Sequence, residues 1–270
     1  MIALPDSARS MAHRLVPGYM ADRARRYERD LRNSSGVTEA TERLLAGGEP
    51  IVQAGLFAGM RYPSERIADI DASAAKILGT YEREIAWVFQ RAIESNVSTF
   101  IDIGCADGYY AVGMAYASPV TTTYAYDLAA SARELCSATA RASKVADRVT
   151  VARRFTAELV ADLPVQQALV LCDIEGAEVD LFDSDLAAAL APSVVVVEVH
   201  EHDRPGAGAH LRQAFAATHT VVEVAQEPRL EVPDALASWT EADRGRALAE
   251  FRDQALHWLV FEPLPPAQRG

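Results

Sequence analysis

The chain predicts an α/β protein built on a doubly wound, mostly parallel sheet. From residue 98 onward, short apolar runs alternate with helical stretches in a repeated strand–helix order. The middle runs are continuously apolar, as strands are when helices cover both faces of the sheet. The first run passes directly into a glycine turn that opens a helix, "FIDIGCADGYYAVGMA" at 100–115.

Residues 1–46 read as amphipathic helix, interrupted by the turn chemistry of "VPGY" and "NSSG". "AGGEP" is a loop, and 51–80 is irregular. A helix is predicted over 81–95, with Ile85, Val88, Phe89 and Ile93 at helical spacing. Strand "TFIDI" then leads to helix 107–118, "TTYAYD" to helix 130–145, and "VTVAR" to a short helix near 156–162. "ALVLCD" leads to helix 178–190 and "SVVVVEVH" to helix 207–217. Strand "TVVEVA", a loop with proline, helix 240–253 and a last strand "ALHWLVFE" complete the pattern. Two regions are expected: a helical and irregular N-terminal cap at 1–80, and a sheet domain at 81–270 with a helical insertion near 227–253. In such sheets a ligand binds outside the carboxyl ends of the strands, where the strand order reverses.

The bulk properties narrow the function classes. The net charge is −12, so no nucleic-acid partner is expected, since phosphate contacts need a basic face. The cluster Arg23, Arg25, Arg26 and Arg29 is interleaved with acids and reads as a solvated helix face. No apolar run approaches the ~20 residues that span a bilayer, so no membrane partner is expected. Cys105, Cys136 and Cys172 form no C-x-x-C pair. They indicate reduced thiols and a cytoplasmic setting.

The turn after the first strand discriminates among nucleotides. Gly104 and Gly108 let backbone approach a ligand, and the helix start offers free N–H groups. A dinucleotide fingerprint would carry glycine where Ala106 stands, and no Lys-Ser or Lys-Thr of a P-loop follows. Asp102 would repel a pyrophosphate but attract the ammonium of S-adenosylmethionine. Asp127, ending the second strand, is placed to accept hydrogen bonds from a ribose.

The stretch 100–115 resembles motif I of class I S-adenosylmethionine-dependent methyltransferases. "LVLCDIEGAEVDLF" at 169–182, followed by "VVVVEVHEH" at 194–202, is similar to the paired signature of their FkbM-like branch: Asp-x-Glu-Gly-x-Glu, then a strand ending Glu-x-His. The likeness covers about residues 76–225. It implies a Rossmann-like seven-stranded sheet, S-adenosylmethionine as cofactor, and methyl transfer mostly to hydroxyls of small molecules. By the same likeness, Asp102, Gly104 and Gly108 would line the methionine and ribose part of the cofactor. Asp127 would hold the ribose, and Asp173 would sit near the reactive methyl. "RRFTAE" after the third strand departs from the usual adenine-side residues, so that contact has no candidate.

Asp173, Glu175, Glu198 and His200 gather at the ends of two strands expected to be neighbours. Glu198 and His200 are two apart and so share a strand face. Three readings stand. The four groups hold a divalent cation such as Mg²⁺, with Asp173, Glu198 and His200 as its ligands; His200 is a metal-free general base, with an ordinary pKa of about 6.5; or Glu175 caps the following helix or salt-bridges locally, and Glu198 and His200 bind only each other. His200 is the first choice for the base, with Asp173 and Glu198 beside it. His202 and His210 flank the following loop, as pocket residues or solvated ones. Tyr81 either faces the cofactor or packs under its helix. Glu82 faces the pocket or lies in solvent at the first turn, where an acid is favoured.

Methyl transfer from a sulfonium needs alignment, exclusion of water and loss of the acceptor's proton, so few catalytic side chains are expected. "DIEG" stands where base N-methylating enzymes carry Asn/Asp-Pro-Pro-Tyr/Phe, which favours a hydroxyl acceptor: a small secondary metabolite or sugar-like molecule. Two rivals are a non-catalytic binding module of the same fold and a nicotinamide-dependent oxidoreductase, which lacks its glycine and hydride-site motifs here. A homodimer through the N-terminal helices is compatible with the pattern.

Overall fold

The computed structural model describes residue 22 and residues 35–229, 231–250 and 257–269. The expected basic cluster at 23–29, His13 and most of the N-terminal helical extension fall outside the described residues. Of that extension, helix α1 (Val37–Leu45) is described.

Seven strands form one sheet: β1 (Thr99–Ile103), β2 (Thr122–Tyr126), β3 (Val149–Ala152), β4 (Leu169–Cys172), β5 (Val194–Val199), β6 (His219–Ala225) and β7 (His257–Pro263). Their order is β3-β2-β1-β4-β5-β7-β6. The first five pair in parallel, and β7 lies antiparallel between β5 and β6. The fold is therefore the doubly wound, Rossmann-like mixed sheet that the alternation predicts. Strand order reverses between β1 and β4. In register, Ile103 stands beside both Tyr126 and Cys172. The residues that follow, Gly104, Asp127 and Asp173, therefore leave the sheet at one level.

Strict alternation sorts the core into two layers. Phe100, Leu169, Leu171, Val196, Trp258 and Val260 belong to one apolar cluster, and Ile101, Ile103, Val170, Cys172, Val197 and Phe261 to the other. Helices α3 (Ala86–Glu94), α4 (Tyr109–Ala117) and α5 (Ala130–Ala142) cover the first face. Helices α7 (Ser184–Ala189) and α8 (Ala207–Phe215) cover the second. Asp102 and Glu198 share strand parity with Phe100 and Val196, so both project on the α4 side.

The leading segment belongs to this core. Phe57, Met60, Tyr62 and Ile77 are fully or nearly fully buried in the first cluster. Helix α2 (Ser73–Leu78) ends in the left-handed Gly79. The insertion after β6 carries helix α9 (Glu241–Ala247). Its Leu236, Trp239 and Ala247 form a third small core with Ala40 of α1 and with Ala74 and Leu78 of α2.

Several expected helices are shorter or divided. The expected helix 81–95 begins as a 3-10 turn, Arg83–Ile85, before α3. The segment near 156–162 is 3-10 throughout, Ala157–Asp162. The expected helix 178–190 is two helices, α6 (Glu178–Leu181) and α7. Asp183 divides them, because its side chain accepts from the N–H groups of Asp185 and Leu186 and starts a new helix. Helix 240–253 is described only as α9. No helix among the described residues is long and apolar enough to cross a membrane.

Candidate active site

The turn after β1 is fixed from two sides. Gly104 and Cys105 both donate their N–H to the Tyr126 carbonyl, at 2.8 and 3.0 Å. Gly104 has φ +99°, and a Cβ there would lie 1.7 Å from the Asp173 carbonyl oxygen. The glycine is needed because β4 returns against it. Ala106 adopts φ +47°, the left-handed conformation glycine would take, at a strain of roughly 1–2 kcal/mol. The Ala106 N–H donates to Asp127 Oδ2 at 3.1 Å, and the Ala129 N–H to Oδ1 at 2.8 Å. Asp127 thus ties the turn to the end of β2.

Between the carboxyl ends of β1 and β4 lies a crevice of about 40 Å³, room for a few waters. Asp102, Asp173, Glu198 and Glu82 contribute carboxylates, and Tyr81, Tyr109 and Tyr110 contribute rings. Lys76 also faces it but forms a buried ion pair with Asp107. Its ammonium stands 4.7 Å from the centre of the Tyr81 ring, within cation–π range. Asp102 is buried and accepts from the Ala111 N–H. Burial above all, then the neighbouring charges of Asp173 and Asp127, hold its pKa well above the ordinary carboxylate value. Tyr81 and Glu82 both face this crevice. A second cleft of about 610 Å³ lies behind the wall formed by Tyr81, Glu82, Tyr109 and Tyr110.

His200 follows the last residue of β5 and is 2 % exposed. Its Nδ1 bonds to Glu178 Oε1 at 2.9 Å. Its Nε2 faces Glu175 Oε2 at 3.4 Å and Asp173 Oδ1 at 3.6 Å. The ligand set expected for a cation, Asp173, Glu198 and His200, is therefore corrected. The donors that converge are those of Asp173, Glu175 and His200. Glu198 lines the Asp102 crevice instead, because it lies within β5 while His200 has left the strand. Burial alone lowers the imidazole pKa. The Glu178 hydrogen bond and the charges of Asp173, Glu178 and Glu175 outweigh it and push the pKa up to about 10. The ordinary value of about 6.5 expected for a base does not apply in this setting, and the imidazole carries a proton at neutral pH.

Because the folded pKa exceeds the unfolded value of about 6.5, this stabilisation is complete below that pH and is lost as pH rises through about 10. In EDTA, the wild-type melting temperature should fall between pH 7 and 10 relative to His200→Gln. Parallel profiles would show that the cluster does not hold the proton.

Sequence reasoning passed over Lys76, Asp107 and Glu178. Lys76 is a lone cation in the apolar run "ASAAKIL", which is a legible sign of a buried, paired lysine. Asp107 and Glu178 lie inside the quoted motifs, but their partners are distant in sequence. Two further histidines bond to backbone, and His202 of the loop after β5 faces Asp203 at 3.0 Å. His210 bonds to the Phe182 carbonyl at 2.8 Å, and His219 to the Ser193 carbonyl at 3.0 Å.

The insertion is latched to the rim of the crevice. Arg229 pairs both oxygens of Glu84, at 2.7 and 2.8 Å, and reaches Glu250 Oε1 at 2.6 Å. Glu250 Oε1 also accepts from the Glu82 N–H at 3.3 Å, and Tyr110 donates to Glu82 Oε2 at 2.6 Å.

No protein-family profile and no curated protein matches the chain. Solved structures with some likeness include TrmN from Thermus thermophilus, at 16% identity and a TM-score of 0.45. That match covers 72% of this chain and 52% of TrmN, so the chain spans about half its length. The O-methyltransferase TomG from Streptomyces achromogenes, in complex with SAM, matches at 12% identity over 84% of this chain and 89% of its own, with a TM-score of 0.45. Cofactor-bound Rv0187 from MTB matches at 13% identity over 97% and 98%, with a TM-score of 0.44. At these scores the fold stands on its own strand order.

Proposed function

We propose that the chain is an S-adenosylmethionine-dependent methyltransferase acting on a hydroxyl of a small molecule, in the manner of the FkbM-like branch. One observation carries this reading: the crevice at the reversal of strand order is acidic and aromatic, and it opens on an acid–glycine turn. Its one lysine is already paired with Asp107. A pyrophosphate would be repelled there. A ligand bearing ammonium and sulfonium charges would be attracted by the carboxylates and the ring faces.

The residues fit that cofactor: Gly104 and Gly108 keep the turn free of side chains, Asp102 would hold the amino end, Asp127 the ribose, and Tyr81 would cover the site. S-adenosylmethionine supplies the activated methyl when bound. The chain supplies alignment, exclusion of water and acceptance of the hydroxyl proton. Asp173, Glu198 and His200 are the groups offered for that proton, His200 becoming competent as pH rises toward about 10. A space of about 40 Å³ does not admit a nucleoside, so the Tyr81–Glu82 wall must move toward the larger cleft behind it. Residues 1–75 and the 227–253 insertion would then form the lid and acceptor pocket.

Titration calorimetry with S-adenosylmethionine and S-adenosylhomocysteine should show micromolar binding. Asp102→Asn should weaken S-adenosylmethionine binding at least about tenfold, consistent with removal of one charge-assisted hydrogen bond. The same variant should melt a few degrees higher at pH 7, since a raised carboxyl pKa costs stability above the unfolded value of about 3.9. That gain should vanish near pH 4. No binding by the folded protein would overturn the reading, and a product methylated on nitrogen or carbon would overturn the hydroxyl assignment.

A further inference from the structure

The geometry points to a divalent-cation site formed by Asp173, Glu175 and His200, with Glu178 as its positioning residue. Cation binding does not depend on the methyl-transfer reading; only the use of the cation in catalysis rests on it.

The donor spacing fits an ion. The three ligand atoms lie within 4.8 Å of one another, and His200 Nε2 stands 3.4 and 3.6 Å from the two carboxylate oxygens. Donors about 2.1–2.2 Å from one ion, at angles of about 90–110°, are separated by about 3.0–3.6 Å. His200 is 2 % exposed, and its Nε2 makes no hydrogen bond among the described residues. Nε2 is aimed between the two carboxylates, and a divalent cation bound there would take the place of its proton, which leaves as the ion binds.

The surroundings are those of a metal-binding histidine. Such a residue commonly gives its other ring N–H to a carboxylate, which fixes the ring and its tautomer. Glu178 does this from a fully buried position. The same Oε1 accepts from the N–H groups of Ile174 and Gly176, at 3.1 and 3.3 Å. One buried carboxylate therefore shapes the turn that carries Asp173 and Glu175 and orients His200 toward them. The other Glu178 oxygen is buried with no hydrogen-bond partner among the described residues. Arg204, the arginine on the following loop, is spent on Asp180 at 2.9 and 3.0 Å. Three carboxylates thus face one imidazole, a donor set that attracts a divalent cation.

The donor set also chooses among cations. One imidazole with two carboxylates suits Mn²⁺ better than Mg²⁺, which prefers oxygens alone. The side chains of Asp173 and Glu175 are 34% and 74% exposed, so the ion would keep open positions toward solvent and, through Asp173, toward the crevice. An acceptor oxygen bound there would lose its proton more easily.

The full-length protein, stripped with EDTA, should bind one Mn²⁺ with micromolar affinity by calorimetry and by electron paramagnetic resonance. Mg²⁺ should bind at least about tenfold more weakly. His200→Gln and Glu175→Gln should each weaken Mn²⁺ by more than about tenfold. Glu178→Gln, which keeps an acceptor, should weaken it by about 10- to 100-fold and alter the Mn²⁺ spectrum while the circular dichroism stays native. Glu175 is a surface side chain, so its variant stays interpretable if His200→Gln does not fold. Absence of Mn²⁺ binding below 1 mM by the folded wild type, or binding indifferent to Glu175→Gln and His200→Gln, would overturn the site. Titrating S-adenosylmethionine into the EDTA-treated protein separates the two readings: cofactor binding without Mn²⁺ binding removes only the cation site, and the converse removes only the methyl-transfer reading.

Discussion

Gly104→Ala should be the most damaging single methyl group that can be added to this chain. Its Cβ would lie 1.7 Å from the Asp173 carbonyl oxygen, and the backbone is held at φ +99°. The clashing atom is backbone, and the Asp173 N–H is itself bonded to the Ile103 carbonyl at 2.9 Å. Neither side can yield without opening the β1–β4 pair. Unfavourable left-handed geometry alone costs about 1–2 kcal/mol, and the displaced pairing adds to it. A total above about 4 kcal/mol, or about 10 °C in melting temperature, is expected, with loss of cofactor binding. A variant melting within about 3 °C of wild type would mean that the turn has another path.

Lys76→Met should cost about 3–5 kcal/mol, the range for removing one partner of a buried ion pair. Asp107 is 3 % exposed, and one of its oxygens already accepts from the Tyr109 N–H at 3.0 Å. Methionine fills most of the lysine's volume, so the loss reports the stranded carboxylate rather than a cavity. Asp107→Asn in the same chain keeps an acceptor for Tyr109 and removes the charge. The double variant should recover more than half of the loss, a coupling that a double-mutant cycle measures directly. Additive losses would place the two side chains in separate environments.

The alternation of strands and helices was legible because both sheet faces are covered. Runs such as Leu169–Cys172 are apolar throughout only when neither face meets water. The turn at Gly104 was legible because close backbone approach leaves a glycine in the sequence. The break between α6 and α7 was not, since Asp183 can cap a new helix or ride on an old one with the same periodicity. The partners of His200 were not legible either. Strand parity puts Glu198 and His200 on one face, but the strand ends at Val199, and the carboxylate bonded to the imidazole is Glu178, 22 residues earlier. Periodicity does not report which acid crosses a turn. It is equally silent on the antiparallel placement of β7, because a strand's pattern is the same in either direction.

That placement bears on how the protein is made. β7 is synthesised after β6, yet it lies between β5 and β6. From Ala225, the end of β6, to His257, the start of β7, the ribosome adds 32 residues (257 − 225), about 2–6 s of synthesis at about 5–20 residues per second. Throughout that interval β5 is paired only with β4, its other, mostly apolar edge is open, and β6 lacks the β7 neighbour it has in the finished sheet. An edge of this kind is what chains pair with wrongly. The nascent sheet is thus most adhesive just before β7 is made, and slower elongation through 226–256 lengthens that exposure.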